Sequence, residues 1–265
     1  MRSSSSRERL GDVAEGLRSL AKDAGEVILR VYGAAEHEVQ YKADASPLTL
    51  ADLEASKVIL AGLPGVLPGV QVVCEETESS DTPSQVGARF VLVDPLDGTK
   101  EFISRNGEFT VNMALIDQGE PIVGVVYAPA IERLFVGWRE EDGTRHAFEE
   151  RGSAPRRAIH VVEPRTEGLV VVASRSHRDA STDRYLEAFR VKSFTSAGSS
   201  MKFCMVAAGE ADLYPRLGRT MEWDTAAGQA VLEAAGGSVS RLDGSPLSYG
   251  KPGFENPHFV ARGGE

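Results

Sequence analysis

Apolar residues recur every three or four positions near the start of the chain, which predicts a long first helix over residues 10–33. A short strand is predicted at 39–42. Thr49, with Asp52 three positions later, has the pattern of a capping box and predicts the start of a second helix. Pro64 and Pro68 are expected to end that helix, because proline lacks the backbone N–H that a helix interior uses.

Short apolar runs in the middle of the chain predict strands, and two of them end directly at acidic residues. These runs are residues 70–74, 89–93, 109–116, 122–127 and 134–138. Glu75 and Glu76 follow the first run, and Asp94 follows the second. The polar, turn-rich stretch 140–157 is the expected boundary between two halves, residues 1–150 and 151–265.

Strand and helix patterns alternate in the second half. Strands are predicted at 169–173, 191–194 and 211–214, around Val239, and at 259–260; helices are predicted at 182–189, 199–208 and 223–235. Together the two halves predict a mixed α/β layered fold. Strand ends and helix starts commonly gather at one edge of such a fold, where ligands bind.

Composition and charge narrow the class of protein. The chain has 265 residues, of which 42% are hydrophobic, and this suits one large domain or two closely packed ones. The formal net charge of −10 argues against nucleic-acid binding, although metal cations allow an acidic protein to bind an anionic substrate. No apolar stretch is long enough to span a membrane. The first ten residues lack a signal-peptide core, and two isolated cysteines predict reduced thiols, so we expect a cytoplasmic protein.

The segment DPLDGT, residues 94–99, is the strongest candidate for chemistry. Pro95 and Gly98 favour a sharp turn, in which Asp94, the Leu96 carbonyl and Asp97 can face one point. On this segment alone, a solvated turn and a metal site are about equally good interpretations. The acidic residues Glu75 and Asp224, the latter in EWDTAAG, favour the metal site. Carboxylate oxygens suit magnesium, manganese or calcium.

Three further polar positions have weaker signals. Thr99 could hold a water beside the metals, and Asp52 could accept a proton from it. Asp52 taken alone is better explained as a helix cap. The segment GSSMKF, residues 198–203, resembles an anion site at a helix start, but an ordinary cap explains it at least as well.

Several longer segments resemble the lithium-sensitive, magnesium-dependent phosphomonoesterase superfamily, which includes inositol monophosphatases, fructose bisphosphatases and bisphosphate nucleotidases. They are KADASPLTLAD, VLVDPLDGTKEFISRNGEFTVNMALID and AGSSMKFCMVAAGEADLYPRLGRTMEWDTAAG. The resemblance extends from about Leu10 to the end of the sequence. It implies an αβαβα layered sandwich, an enzyme that hydrolyses phosphate monoesters, and two to three Mg²⁺ ions.

The resemblance also implies roles for individual residues. The implied metal ligands are Glu75, Asp94, the Leu96 carbonyl, Asp97 and Asp224. Thr99 and Asp52 would orient and deprotonate the attacking water, and Glu75 would contact it through a magnesium ion. The substrate phosphate would contact Glu75, Leu96, Asp97, Gly98, Thr99 and Asp224.

Two cationic residues indicate which substrate is bound. The resemblance places Lys100 where inositol monophosphatases usually have a neutral residue, and Arg216 near their sugar-binding glutamate. Two added positive charges favour a substrate with a second phosphate. The best match is 3′-phosphoadenosine 5′-phosphate, hydrolysed to AMP and phosphate in connection with sulfate assimilation. Gly198, Ser199 and Lys202 are expected on the nucleoside side.

Alternatives remain open at this point. The same residues suit an inositol monophosphatase or a broader sugar-phosphate phosphatase. A non-catalytic phosphate binder is less favoured, because all the expected acidic ligands and Thr99 are present. The resemblance further implies a possible homodimer and possible peripheral association with the cytoplasmic face of the inner membrane.

Overall fold

The structure is a computed structural model that describes residues 9–34, 39–41, 47–77, 85–163, 165–173 and 180–264. The helices are α1 (Leu10–Tyr32), α2 (Leu50–Val66), α3 (Thr99–Ile103), α4 (Ala180–Leu186), α5 (Met201–Ala207) and α6 (Glu222–Ala234), with short 3₁₀ turns at Pro129–Ile131 and Pro252–Phe254. Residues 42–46, the first part of the KADASPLTLAD segment, lie outside the described residues.

Most strands belong to two sheets. The strands are β1 (Val39–Tyr41), β2 (Pro47–Thr49), β3 (Gln71–Cys74), β4 (Arg89–Asp97), β5 (Thr110–Asp117), β6 (Glu120–Ala128), β7 (Arg133–Arg139), β8 (Arg145–Arg151), β9 (Arg157–Ala158), β10 (Leu169–Ala173), β11 (Val191–Ser196), β12 (Leu213–Arg216), β13 (Ser238–Arg241) and β14 (Phe259–Arg262). The large sheet has the order β3-β4-β5-β6-β7-β8-β9, and only β3 and β4 run parallel in it. The small sheet has the order β11-β10-β12-β14-β13, and β1 and β2 form a separate hairpin.

The elements stack in five layers, which confirms the predicted αβαβα sandwich. Helices α1 and α2 cover one face of the large sheet, and α5 and α6 fill the space between the two sheets. Leu186 of α4 packs on the outer face of the small sheet with Val171, Leu213 and Val260. Strand β4 shows why two cores form, because successive side chains of a strand point to opposite faces. Phe90 and Leu92 enter the core with α5 and α6, whereas Val91 and Val93 enter the core with α1 and α2.

Helix α2 continues past Pro64, so the expectation that this proline ends the helix is wrong. A proline removes only one helical hydrogen bond, and Pro64 lies in the last turn. The bond from Leu67 N to Leu63 O is intact at 2.8 Å, and both leucines are buried. Packing of this turn offsets the missing bond, and the helix ends just before Pro68.

The stretch 140–157 contains strand β8 and the start of β9, not turns alone. Sequence reasoning missed β8 because most of its residues are polar or charged. Glu149 of β8 is only 1% exposed, and it accepts hydrogen bonds from Arg133, Arg151 and Arg157 at 2.6–2.7 Å. Pairing with three guanidinium groups lets a charged side chain face inward. The division of the chain near residue 150 stays a prediction.

Cys74 and Cys204 are buried and free, as the sequence predicted. Burial raises the pKa of each thiol, so both are unreactive neutral core side chains. Among the described residues, no helix has the length and apolar character needed to cross a membrane.

Candidate active site

Acidic side chains from three elements meet at one edge of the large sheet. Because β3 and β4 are parallel, their carboxyl ends lie together, which brings Glu75 next to Asp94. Asp224 comes from the first turn of α6. One carboxylate oxygen of each of these three residues lies within 4.8 Å of the other two. The sequence-predicted ligands Glu75, Asp94 and Asp224 therefore lie together in space.

Asp97 lies beside this group, and its carboxylate has two polar neighbours of its own. Asn112 Nδ2 donates a hydrogen bond to Asp97 Oδ2 at 3.3 Å, and Ser200 Oγ lies 3.2 Å from the same oxygen. Ser200 Oγ also lies 2.7 Å from the Asp224 carbonyl oxygen and accepts from Asn112 Nδ2 at 2.9 Å. Asn112 and Ser200 therefore hold Asp97 and the start of α6 in one network.

The sharp turn predicted after Asp94 is only partly present, because β4 continues through Asp97 with a register irregularity between Asp94 and Asp97, and the chain turns at Gly98. Leu96 N donates to Asp94 Oδ1 at 3.0 Å, which fixes this buried carboxylate within β4. Gly98 has φ = 93°, a left-handed conformation that favours glycine. A Cβ on Gly98 would also lie 2.2 Å from Ser199 Oγ. Both the conformation and the space therefore require glycine here.

Thr99 and Asp52 form a direct pair. Thr99 Oγ1 donates to Asp52 Oδ1 at 3.1 Å and lies 3.5 Å from the Leu96 carbonyl oxygen. The other oxygen of Asp52 accepts from Thr49 N at 2.8 Å and Thr49 Oγ1 at 2.5 Å. Asp52 is therefore both the helix cap and the partner of Thr99. Burial raises the pKa of Asp52, although these hydrogen bonds act in the opposite direction.

Burial and mutual repulsion make the acidic group unstable in its fully charged form. The pKa values of Asp94 and Asp224 are raised well above their usual range, first by burial and then by the neighbouring carboxylates. Burial also raises the pKa of Asp97. A divalent cation among these oxygens would reverse the repulsion, and an all-oxygen donor set fits Mg²⁺. We call Glu75, Asp94, Asp97 and Asp224 the carboxylate wall.

A cavity of about 280 Å³ opens beside the carboxylate wall. Lys100, Lys202 and Arg216 also line this cavity, and we call these three residues the cationic wall. Glu75, Asp97 and Asp224 of the carboxylate wall line the same cavity, as do Gly98 and Thr99. The structure thus brings the sequence-predicted acids and cations to one space.

Lys202 is held within the protein rather than in solvent. Its Nζ donates to Ser199 O at 2.6 Å and Ala197 O at 3.3 Å, and the residue is 5% exposed. Burial lowers the pKa of Lys202 to about 8, although the charge of Asp97 acts to raise it. The Nζ atom also lies 5.4 Å from the ring centre of Tyr214.

Arg216 and the GSS segment complete the cationic side. Arg216 Nη2 donates to Arg219 O at 3.1 Å, whereas the buried Nε has no hydrogen-bond partner in the part of the chain that the structure describes. Ser199, with φ = 49°, is held by its Oγ, which lies 2.7 Å from Asp97 O and 2.8 Å from Glu108 O. Gly198 packs against the Glu108 backbone, where a Cβ would lie 2.5 Å from the carbonyl oxygen.

Sequence reasoning missed several residues of the site. Asn112, Ser200, Tyr214, Thr220, Thr225 and Glu101 contact the predicted ligands or line the cavity. Asn112 had a usable signal, because it is a lone polar side chain inside the apolar strand VNMALI. Thr220 had no local signal, because its place at the cavity depends on how the loop before α6 folds.

The five-layer fold and the carboxylate cluster at its sheet edge define an α/β protein with a candidate metal site. The profile of the inositol monophosphatase family matches residues 10–261, and the chain belongs to this family. The family is metal-dependent, which agrees with the carboxylate wall.

Individual relatives share most of the chain. It is 47% identical over 247 residues to the 3′(2′),5′-bisphosphate nucleotidase CysQ of Escherichia coli strain K12, covering 91% of this chain and 95% of that protein. The crystal structure of CysQ from Bacteroides thetaiotaomicron matches with a TM-score of 0.79 and 36% identity, covering 95% of this chain and 97% of the other. An inositol monophosphatase from Thermotoga maritima matches with a TM-score of 0.74 and 25% identity, covering 94% and 91%.

Proposed function

We propose that this protein is a magnesium-dependent 3′(2′),5′-bisphosphate nucleotidase that hydrolyses 3′-phosphoadenosine 5′-phosphate to AMP and phosphate. The observation that carries the proposal is that the two walls face the same cavity. One wall suits metal ions and the phosphate to be cleaved, and the other suits a second anionic group. The similarity to the CysQ nucleotidases supports the same substrate class.

The metal ligands in this proposal are Glu75, Asp94, the Leu96 carbonyl, Asp97 and Asp224, holding two to three Mg²⁺ ions. When bound, Mg²⁺ would neutralise the phosphate charge, lower the pKa of a bound water and stabilise the leaving oxygen. Asn112 and Ser200 keep Asp97 oriented toward the cavity. The buried carboxylates supply a charge that balances these cations.

Thr99 and Asp52 position the attacking water. Since Thr99 Oγ1 donates its own proton to Asp52, its lone pairs are left to accept a proton from water. The raised pKa of Asp52 makes this carboxylate a better proton acceptor through Thr99. Attack forms the new P–O bond, the ester P–O bond breaks, and the departing ribose oxygen takes a proton from solvent.

The cationic wall would bind the phosphate that is not cleaved. Arg216 offers a buried Nε–H with no partner among the described residues, and such a donor gains most from a charged acceptor. Lys202 and Lys100 line the same cavity and add positive charge to it. Inositol 1-phosphate has only one phosphate and would leave these groups without a counter-charge.

A comparison of substrates tests the proposal. Phosphate release is measured with Mg²⁺ on 3′-phosphoadenosine 5′-phosphate and on inositol 1-phosphate. We expect a higher kcat/KM on the nucleotide, and a higher kcat/KM on the inositol ester would favour the runner-up, an inositol monophosphatase or broader sugar-phosphate phosphatase. Lithium should inhibit at limiting magnesium in the same assay.

The proposal also covers the cellular location and the oligomeric state of the enzyme. Two buried, free cysteines fit the reducing conditions of a cytoplasmic enzyme. A homodimer and peripheral association with the inner membrane stay predictions. Sedimentation of the purified protein and fractionation of cells would test them.

A further inference from the structure

Glu101 is an acidic residue on the cavity wall to which the proposed reaction gives no role. It lies in the first turn of α3, directly after Thr99 and Lys100, and lines the cavity. Its Oε2 is 3.3 Å from the point that a Cβ on Gly98 would occupy. Its Cγ is 3.0 Å from the corresponding point at Gly198. The two glycines therefore leave the space that the Glu101 side chain fills.

The carboxylate of Glu101 has no hydrogen-bond or ion-pair partner in the part of the chain that the structure describes. Lys202 is close enough for the charge of Glu101 to favour its protonated form, yet its Nζ donates to the carbonyls of Ala197 and Ser199 instead. A group in this position is available to a ligand.

A negative charge next to a phosphate site is unfavourable unless it accepts a hydrogen bond from a neutral donor. Glu101 Oε2 lies 3.3 Å from the point that a Cβ on Gly98 would occupy, and Gly98 stands between Asp97 and Thr99, so this carboxylate lies beside the turn at which the scissile phosphate would bind. In a nucleoside bisphosphate, the neutral donor nearest that phosphate is the hydroxyl on the adjacent ribose carbon. The amino group of the base is many bonds farther away.

We infer that Glu101 is a specificity-determining residue that accepts a hydrogen bond from the ribose hydroxyl next to the esterified carbon. This hydroxyl is the 2′-OH of a 3′-phosphate and the 3′-OH of a 2′-phosphate, so one acceptor serves both isomers. Glu101 thereby selects ribonucleotides over 2′-deoxynucleotides. The inference rests on the proposed function, because it takes the nucleoside bisphosphate as substrate.

The test compares kcat/KM on adenosine 3′,5′-bisphosphate and 2′-deoxyadenosine 3′,5′-bisphosphate for the wild type and Glu101→Ala. The wild type should prefer the ribonucleotide by about 10- to 100-fold, the range of a hydrogen bond to a charged group. In Glu101→Ala this preference should fall to about one. Its kcat/KM on the deoxynucleotide should stay the same or rise, because a repulsive charge is removed.

Glu108→Ala is the matched control. This variant removes a negative charge that also acts on Lys202. Glu108 is not among the described residues that line the cavity. The ratio between the two substrates should be unchanged in this variant. Calorimetric binding of AMP and 2′-deoxyadenosine 5′-monophosphate should repeat the pattern without turnover.

Three outcomes would overturn the inference. One is an active wild type with no preference between the two nucleotides, and another is an equal loss on both in Glu101→Ala. The third is an increased magnesium requirement in Glu101→Ala, which would make Glu101 a metal ligand. A wild type that hydrolyses neither nucleotide would instead refute the proposed function, and the inference with it.

Discussion

The two walls of the cavity have opposite electrostatic problems. On the carboxylate wall, burial and repulsion raise the pKa values of Asp94 and Asp224, so these groups resist ionisation. On the cationic wall, burial lowers the pKa of Lys202 to about 8, so the charged form of this group is less favoured than that of a lysine in solvent. Cations would relieve the first wall, and an anion would relieve the second.

This difference indicates the charge of the ligand that each wall would bind. Within the protein alone, neither wall has the counter-charges that would favour its ionised form. Burying these acids and Lys202 at one cavity therefore costs stability. In the proposed function, a magnesium-bound substrate with two phosphates would satisfy both walls at once. The predictions below separate the contributions of the two walls.

The largest expected effect comes from the carboxylate wall. Asp97→Asn should lower kcat by about 10⁴-fold, because a metal ligand that acts on transition-state charge is worth several kcal/mol. The circular dichroism spectrum should be unchanged, since Asn keeps the shape of the side chain. The control is Asp117→Asn. Asp117 lies at the end of β5 far from Thr110, the strand partner of Asp97, and this variant should retain full activity. Wild-type turnover in Asp97→Asn would refute the metal assignment.

A smaller loss of kcat is expected from Asp52 and Thr99, the pair proposed to position the attacking water. Asp52→Asn should lower kcat by about 10²-fold or more with little change in KM, as expected for a proton acceptor. Thr99→Val removes the donor without touching the cap between Thr49 and Asp52. It should therefore lose kcat similarly, with an unchanged melting temperature. If only Asp52→Asn lost activity, together with stability, Asp52 would be a cap alone.

The cationic wall should respond to alkaline pH. As pH rises through about 8, Lys202 loses its proton, and KM for 3′-phosphoadenosine 5′-phosphate should rise by up to about tenfold per pH unit. Lys202→Met should have a high KM that lacks this rise. The same pH dependence in both proteins would show that another group titrates.

For the carboxylate wall, we expect a change of pH to alter the stability of the fold. The folded-state pKa of Asp94 is raised, so its protonated form stabilises the fold at low pH, and this stabilisation is lost as pH rises through that pKa. With a chelator at pH 8, Asp94→Asn should therefore unfold with a free energy about 1 kcal/mol or more above the wild type. The difference should shrink on acidification. A less stable Asp94→Asn at pH 8 would contradict this account.

The sequence predicted the carboxylate wall better than the cationic wall, for a physical reason. Glu75 directly follows β3 and Asp94 lies in the C-terminal half of β4, and strand ends of a layered fold converge at an edge. Lys202 and Arg216 become neighbours only through tertiary packing, and the burial that lowers the pKa of Lys202 has no local signal. Their place on the cavity could be expected from the family resemblance alone.

Two errors in the fold have a similar origin. Strand β8 was missed because local polarity hid a buried Glu149 that three arginines neutralise. Pro64 was expected to end α2, but packing of Leu63 and Leu67 holds the last turn. In both cases contacts distant in sequence outweighed a local preference.

The central claim is that the cationic wall recognises a second phosphate while the carboxylate wall cleaves the first. Its most direct test is kcat/KM on adenosine 3′,5′-bisphosphate and adenosine 3′-monophosphate, for the wild type and Arg216→Gln. Arg219→Gln serves as the control, because that side chain pairs with Glu255. The account predicts that Arg216→Gln loses about 10- to 100-fold on the bisphosphate and little on the monophosphate. Equal losses on the two substrates would contradict it.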